Sequence, residues 1–319
     1  MADAILLRGL EDIRKTAAAA IASGELHQLA DGRAGVYTGF NAAASGDATN
    51  WTTSGQFTVT KTSGVVVLDG APLWWDHSAN SCTPVPPLVA GDRDFFIGTA
   101  VGDASSASTT CVVNLNVKPD YIIDFHQDGG DTAVVLTAGT PYLTSRGGTM
   151  EAGFSATAEA QKLDWISKRS FVLGSNWILE AVFEVVTNAD ADVGDLNIGV
   201  ANATHASDAD AITESCFVHL DMGADLNIDA ESDDGTTEVA ATDTTIDWAV
   251  GTPVHLCIDG RDPSDIQIYI NGVLVLGSTV FTLAAATGPL KAIFHLEKSS
   301  NDSPGVVQLD MLRVRTAEQ

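Results

Sequence analysis

The chain has 319 residues, 45% of them hydrophobic and 18% charged, which is enough to bury the cores of two domains. Forty-two acidic residues against sixteen basic ones leave a net charge of −26. A surface that anionic repels phosphate, so neither nucleic acid nor an anionic membrane is an expected partner. Thr, Val, Gly, Asp and Ala dominate beyond the first turns, a composition of short strands and many turns. No apolar run approaches the roughly 20 residues that span a bilayer. The first apolar stretch is broken by Arg8, Glu11, Asp12, Arg14 and Lys15, unlike a secretory signal.

The N-terminus reads as helix. Asp3 can cap it and Ser23-Gly24 can stop it. Ile5, Leu6, Leu10, Ile13, Ala17, Ala20 and Ile21 recur near one helical face, so the spacing predicts a helix over 3–22. Residues 1–30 are then an arm that either packs on its own domain or docks on a neighbouring subunit.

A small β-barrel-like domain is expected over 31–120. Gln56 to Lys61 alternates cleanly, and Val65 to Leu68 is a buried run. Pro72-Leu73-Trp74-Trp75-Asp76-His77 leads to a Pro-rich loop, then Phe95 to Val101, a small polar loop, and Cys111 to Val117. Adjacent Trp74 and Trp75 face opposite sides of a strand, so one enters the core and the other meets solvent or a partner. Gly98 and Ala100 have almost no side chain, which lets another backbone approach.

This order, WWDHSANSCTPV followed by DFFIGTAVGDASSASTTCVVNLNV, resembles a family of small phage proteins that decorate or cement capsids. The matching positions are Asp76, Pro84, Phe96, Gly98, Ala100, Ala104, Val113 and Leu115, within residues 30 to 118. Members are usually much shorter, so the large C-terminal addition is a departure. The resemblance implies a virion protein, assembled in the host cytoplasm, that binds the major capsid protein on the outside of an icosahedral shell, often as a homotrimer. Its expected capsid contacts are Ile5, Leu6, Leu10, Ile13, Trp74 and Trp75.

Residues 121–319 read as an antiparallel sandwich of short strands between Asp, Gly and Ser turns. Ile178 to Val185 is a long strand whose Glu180 and Glu184 share one face, expected to be solvated. Val254 to Ile258, an acidic loop, and Ile266 to Ile270 are followed by Asn271-Gly272, the dipeptide of a type I′ hairpin turn, and then Val273 to Leu276. The string IYINGVLVL resembles a strand of the laminin-G and concanavalin-like jelly roll that crosses the middle of the sandwich. That fold hosts lectins, glycosidases, adhesins and structural modules alike.

Catalytic patterns are missing. Jelly-roll glucanases draw their carboxylates from one strand spaced E-x-D-x-x-E, and no such string occurs. Glu180 and Glu184 lie about 13 Å apart along a strand, too far for retaining chemistry. Neither G-x-S-x-G nor H-E-x-x-H is present, and the seven histidines are scattered. His219 and His255, between apolar neighbours, read as satisfied structural histidines. An enzyme is not expected.

No cofactor is expected, since acidic turns in an acidic protein are ordinarily solvated. Calcium is the ion such loops would suit, at Asp190, Asp192 and Asp195, with a second string over Asp229 to Asp234. Trp248, and less so Trp165 and Trp177, are candidate platforms for a glycan. Cys82, Cys111, Cys216 and Cys257 form no C-x-x-C; Cys82–Cys111 and Cys216–Cys257 are conceivable pairs, with buried free thiols preferred. The reading is an all-β protein with an N-terminal helical arm, a small β-barrel-like domain and a concanavalin-like antiparallel β-sandwich. Its function is capsid decoration, and the alternative is a glycan-binding adhesion module of a tail fibre or surface protein.

Overall fold

The computed structural model describes residues 4–8, 12–88, 93–125, 132–138, 141–146, 149–187, 194–204, 209–222, 226–300 and 305–316. Among these, the protein is strands, turns and two short 3₁₀ turns, with no α-helix. The chain divides into two compact units, 1–120 and 121–317.

The first unit holds β1 (Ala4–Arg8), β2 (Asp12–Thr16), β3 (Leu26–Gln28), β4 (Ala34–Tyr37), β5 (Ala48–Thr52) and β6 (Gln56–Thr60). It continues with β7 (Pro72–Asp76), β8 (Ser81–Thr83), β9 (Phe95–Ala100) and β10 (Thr110–Leu115). The helical arm expected over 3–22 is therefore wrong. Ala4 pairs with Val59 and Leu6 with Phe57, and Asp12 to Thr16 pairs residue for residue with Thr52 to Ala48. Helix propensity is a weak prior, and a helix here would leave one edge of β5 and one edge of β6 unpaired.

Two antiparallel sheets result, ordered β1-β6-β10-β9-β7-β8 and β2-β5-β4-β3. A bridge between Lys61 and Cys82 returns β8 to the end of β6, so the larger sheet curls on itself. Its core gathers Phe57, Val59, Leu73, Trp75, Ile97, Val113 and Leu115. A smaller core holds Ala17, Ile21, Leu29, Tyr37, Ala43 and Trp51. Asn116, in the left-handed region at φ 60°, stitches strands together: its Oδ1 accepts from Ala34 N at 2.8 Å, and its Nδ2 donates to Ala34 O at 2.9 Å and Thr53 O at 2.7 Å.

The second unit holds β11 (Tyr121–Asp124), β12 (Thr132–Ala138), β13 (Tyr142–Arg146), β14 (Thr149–Gly153), β15 (Gln161–Ser167) and β16 (Trp177–Thr187). Then come β17 (Asp195–Ala201), β18 (Ser215–Asp221), β19 (Asn227–Asp233), β20 (Glu238–Asp247) and β21 (Val254–Gly260). β22 (Gln267–Ile270), β23 (Val273–Val275), β24 (Lys291–Lys298) and β25 (Val306–Thr316) complete it. An eight-stranded sheet ordered β13-β14-β25-β16-β21-β22-β23, with β11 also on β25, faces a seven-stranded sheet ordered β12-β15-β24-β17-β18-β19-β20. Leu179, Ala181 and Phe183 of β16 and Leu196, Ile198 and Val200 of β17 meet in one core. Each fully buried large apolar side chain there contributes about 1.5–3 kcal/mol.

The Asn271-Gly272 turn has φ 51° and 78°, as a type I′ turn requires. Its hairpin closes an edge of the eight-stranded sheet rather than crossing the middle. Cys82 and Cys111 are free thiols, Sγ to Sγ 3.1 Å; Cys216 and Cys257 are free, buried, and on different sheets.

The solvated face expected for β16 is also wrong. Ile178, Glu180 and Val182 are all buried. Glu180 Oε1 instead accepts from Arg315 Nε on the adjacent β25, at 3.3 Å. Removing one partner strands a buried charge, which costs about 3–5 kcal/mol. Glu180→Ala and Arg315→Ala are each expected to lose that much in denaturant unfolding, whereas the double change Glu180→Leu/Arg315→Met loses far less. Additive losses in the double variant would show that the two charges do not depend on each other.

Candidate functional site

In the first unit, the sequence pattern of β7 divides its two tryptophans. Trp75 is 2% exposed and packs into the core, so it is not the free aromatic surface expected of a capsid contact. Trp74 lies on the other face, half-buried, edge-to-face with Phe96 at 5.5 Å. Gly98 sits at φ 148°, and a Cβ there would stand 2.2 Å from Asn114 O. The backbone that approaches it is thus the protein's own β10.

Of the other expected contacts, Ile13 is half-buried against the smaller core, Ile5 and Leu6 lie in β1, and Leu10 falls outside the described residues. A feature without sequence signal stands out instead: Phe40, in the loop after β4, is 98% exposed. A groove of about 850 Å³ in the same unit is lined by Glu25, His27, Trp75, His77, Arg93 and Asp94 among others. His27 Nε2 lies 3.1 Å from Glu25 Oε2, and His77 N donates to Asp94 Oδ1 at 2.9 Å. The groove can therefore donate to and accept from a polar segment.

In the second unit, the expected glycan platforms are not available. Trp248, Trp165 and Trp177 are 2%, 3% and 0% exposed and sit in the core. The polar chemistry is on the other face of the seven-stranded sheet. Its register sets Asp164 beside His295, His295 beside Asn197, Asn197 beside His219, and His219 beside Asp229, one row across five strands. Each of these is a single polar residue between two apolar ones: Leu163-Asp164-Trp165, Phe294-His295-Leu296, Leu196-Asn197-Ile198, Val218-His219-Leu220 and Ile228-Asp229-Ala230. That alternation was the available signal, but it becomes a site only when register aligns the strands.

At one end of the row, His295 Nδ1 is 2.7 Å from Asp164 Oδ1 and Nε2 is 3.2 Å from Glu297 Oε2, which also pairs with Lys162. Burial opposes a charged His295, but these two carboxylates outweigh it and raise its pKa. At the other end, His219 lies between Asp195 Oδ1 at 3.6 Å and Asp210 Oδ2 at 3.5 Å. Burial opposes its charge too, yet Asp195, Asp210 and Glu231 push it up to about 9. Burial first, and then Asp210, push Glu231 up to about 8. His219 is thus no satisfied core histidine. Neither is His255, which is buried, held neutral by desolvation, and without a ring hydrogen bond among the described residues. Asp195 is the one described member of the expected calcium set; Asp190 and Asp192 lie outside the described residues.

Residues 9–115 match the family model of the phage cement protein, so the N-terminal unit carries the likeness read from its motifs. No curated protein matches the chain. Among solved structures, the potassium-bound Emp46p carbohydrate recognition domain is 10% identical, covering 62% of this chain and 94% of its own at a TM-score of 0.43. A Bacillus subtilis protein with a galectin-like fold is 11% identical, covering 58% and 90% at a TM-score of 0.41. The carbohydrate esterase vb_24B_21 from the Shiga toxin-encoding bacteriophage phi24B is 10% identical, covering 62% and 99% at a TM-score of 0.40. Likenesses this distant say nothing of substrate or activity here. No helix among the described residues is long and apolar enough to cross a membrane.

The His295 environment fixes a pH dependence. A raised folded pKa stabilises the protein fully below the unfolded value, about 6.5, and that stabilisation is lost as pH rises through the folded pKa. The melting temperature is expected to fall across that window in the wild type, and this component is expected to be absent from His295→Gln. Parallel curves for the two proteins would refute the assignment.

Proposed function

We propose that this chain is a structural protein of a phage virion that decorates the outside of the capsid shell. It grips the major capsid protein through its N-terminal unit. The observation that carries this reading is the match of residues 9–115 to the phage cement protein family, which falls wholly within one compact unit. A homotrimer on threefold positions of the shell suits the reading.

Charge supports the division of labour. Residues 121–319 carry 30 of the 42 acidic and 9 of the 16 basic residues, while residues 1–120 carry 12 and 7. The sandwich therefore holds most of the negative charge. Like-charged sandwiches repel one another, which favours placing them outward in solvent. The first unit, at a net −5 against −21 for the sandwich, is the one that can be desolvated at lower cost. Its exposed Phe40 and half-buried Trp74 are the aromatic groups a protein interface enriches. The glycan-binding reading has lost its aromatic platforms to the core.

The test is co-sedimentation of the purified protein with capsids of its phage. Deleting residues 1–30 is not a clean probe, because it removes β1, β2 and β3 from their sheets. Point changes are better. Wild type is expected to sediment with capsids, and Phe40→Ser or Trp74→Ala to bind roughly tenfold more weakly. Val172→Ser and Val280→Ser, exposed positions of the sandwich, are expected to bind as wild type does. No capsid binding by the wild type, together with retention on a glycan array, would replace decoration with adhesion.

A further inference from the structure

We propose that Asp210, His219 and Glu231 hold one divalent transition-metal ion on the outer face of the seven-stranded sheet. Their ligating atoms all lie within 4.8 Å of one another. The sheet fixes two of them: His219 is on β18 and Glu231 on the neighbouring β19. Asp210 comes from the 3₁₀ turn Ala209–Ala211 in the connection between β17 and β18. An ion bonded at about 2.1 Å holds tetrahedral ligands about 3.4 Å apart. The exposed Asp210 closes the set with a small movement.

Asn197 is the second, independent observation. It is fully buried, and its amide lies between two of the three ligands: Nδ2 donates to Asp210 Oδ1 at 2.8 Å and to Glu231 Oε1 at 3.2 Å. Its Oδ1 has no hydrogen-bond partner among the described residues. A buried carbonyl oxygen left without a donor is destabilising. Turning the amide over gives up its two N–H bonds to Asp210 and Glu231 and presents that oxygen to a cation, whose charge then takes the place of those donors at the two carboxylates.

The two histidine nitrogens take different tasks. His219 ligates through Nδ1, which lies toward Asp210. Nε2–H then faces Asp195, a carboxylate that orients the ring and raises its basicity as a ligand. Both ring nitrogens lack a hydrogen bond among the described residues, so an ion displaces no existing one. Imidazole beside two carboxylates selects zinc or manganese over calcium, which takes six to eight oxygens. Bound there, the ion ties β18 and β19 to the β17–β18 connection and stabilises the fold by mass action. The site does not depend on the capsid reading and can stand or fall alone.

The experiment titrates zinc chloride into chelator-stripped full-length protein by calorimetry and follows the melting temperature. One equivalent is expected to bind, raise the melting temperature, and be reversed by EDTA. His219→Ala and Glu231→Gln are each expected to weaken binding roughly tenfold or more. His77→Ala, in the other unit, is expected to leave it unchanged, as is excess calcium. Cobalt(II) on the wild type supplies a readout that needs no variant: visible d–d absorption of a low-coordinate site and a shifted His219 ring resonance. No zinc binding, zinc binding untouched by either variant, or cobalt spectra of a fully hydrated ion would each overturn the proposal.

Discussion

The pairing of Ala4–Arg8 with β6 and of Asp12–Thr16 with β5 is the constraint on which the N-terminal unit depends. Every backbone N–H and C=O buried in a small β unit needs a partner, and Ala4–Arg8 and Asp12–Thr16 supply them to one edge of each sheet. Residues that look like an arm in sequence are therefore part of the body. The rest of that unit follows: β8 returns to β6, and the Asn116 amide ties Ala34 to Thr53. The stretch that matches the cement family is then a closed fold rather than a string of contact motifs.

The sandwich obeys a different constraint. Two large sheets pressed together bury one face of each strand, and that demand takes up Trp165, Trp177 and Trp248. Aromatic rings that could have formed a sugar platform fill the core instead. The sheet's other face carries a largely buried lane of carboxylates, imidazoles and one amide, set by the register of β15, β24, β17, β18 and β19. Its pairs differ in character. His295 has a carboxylate oxygen within hydrogen-bond reach of each ring nitrogen, whereas Asp195, Asp210, His219 and Glu231 form an electronegative hollow around an imidazole held at long range.

Much of the fold was legible because strand period is a local property. The alternation of Gln56 to Lys61, the Asn271-Gly272 turn and the Trp74-Trp75 pair each declare themselves within a few residues. Three things were not local. Ile5, Leu6 and Ile13 fit a helical face, and only the open edges of β5 and β6, some forty to fifty residues away, decide against it. Glu180 looks solvated until Arg315 arrives from the last strand. The polar row is assembled from residues spread between 164 and 295, each a lone polar position among apolar neighbours, which sequence reads as noise. Exposure of Phe40 has no pattern at all to announce it, since burial of a loop residue is set by what does not fold over it.

The central claim is that the first unit is the one that meets the shell. A cryo-electron microscopy reconstruction of phage capsids saturated with the protein tests it most directly. Added density is expected on the outer surface, with the N-terminal unit and Phe40 against the major capsid protein and the acidic sandwich turned to solvent. Density that seats the sandwich on the shell, or a shell with no added density, would contradict it.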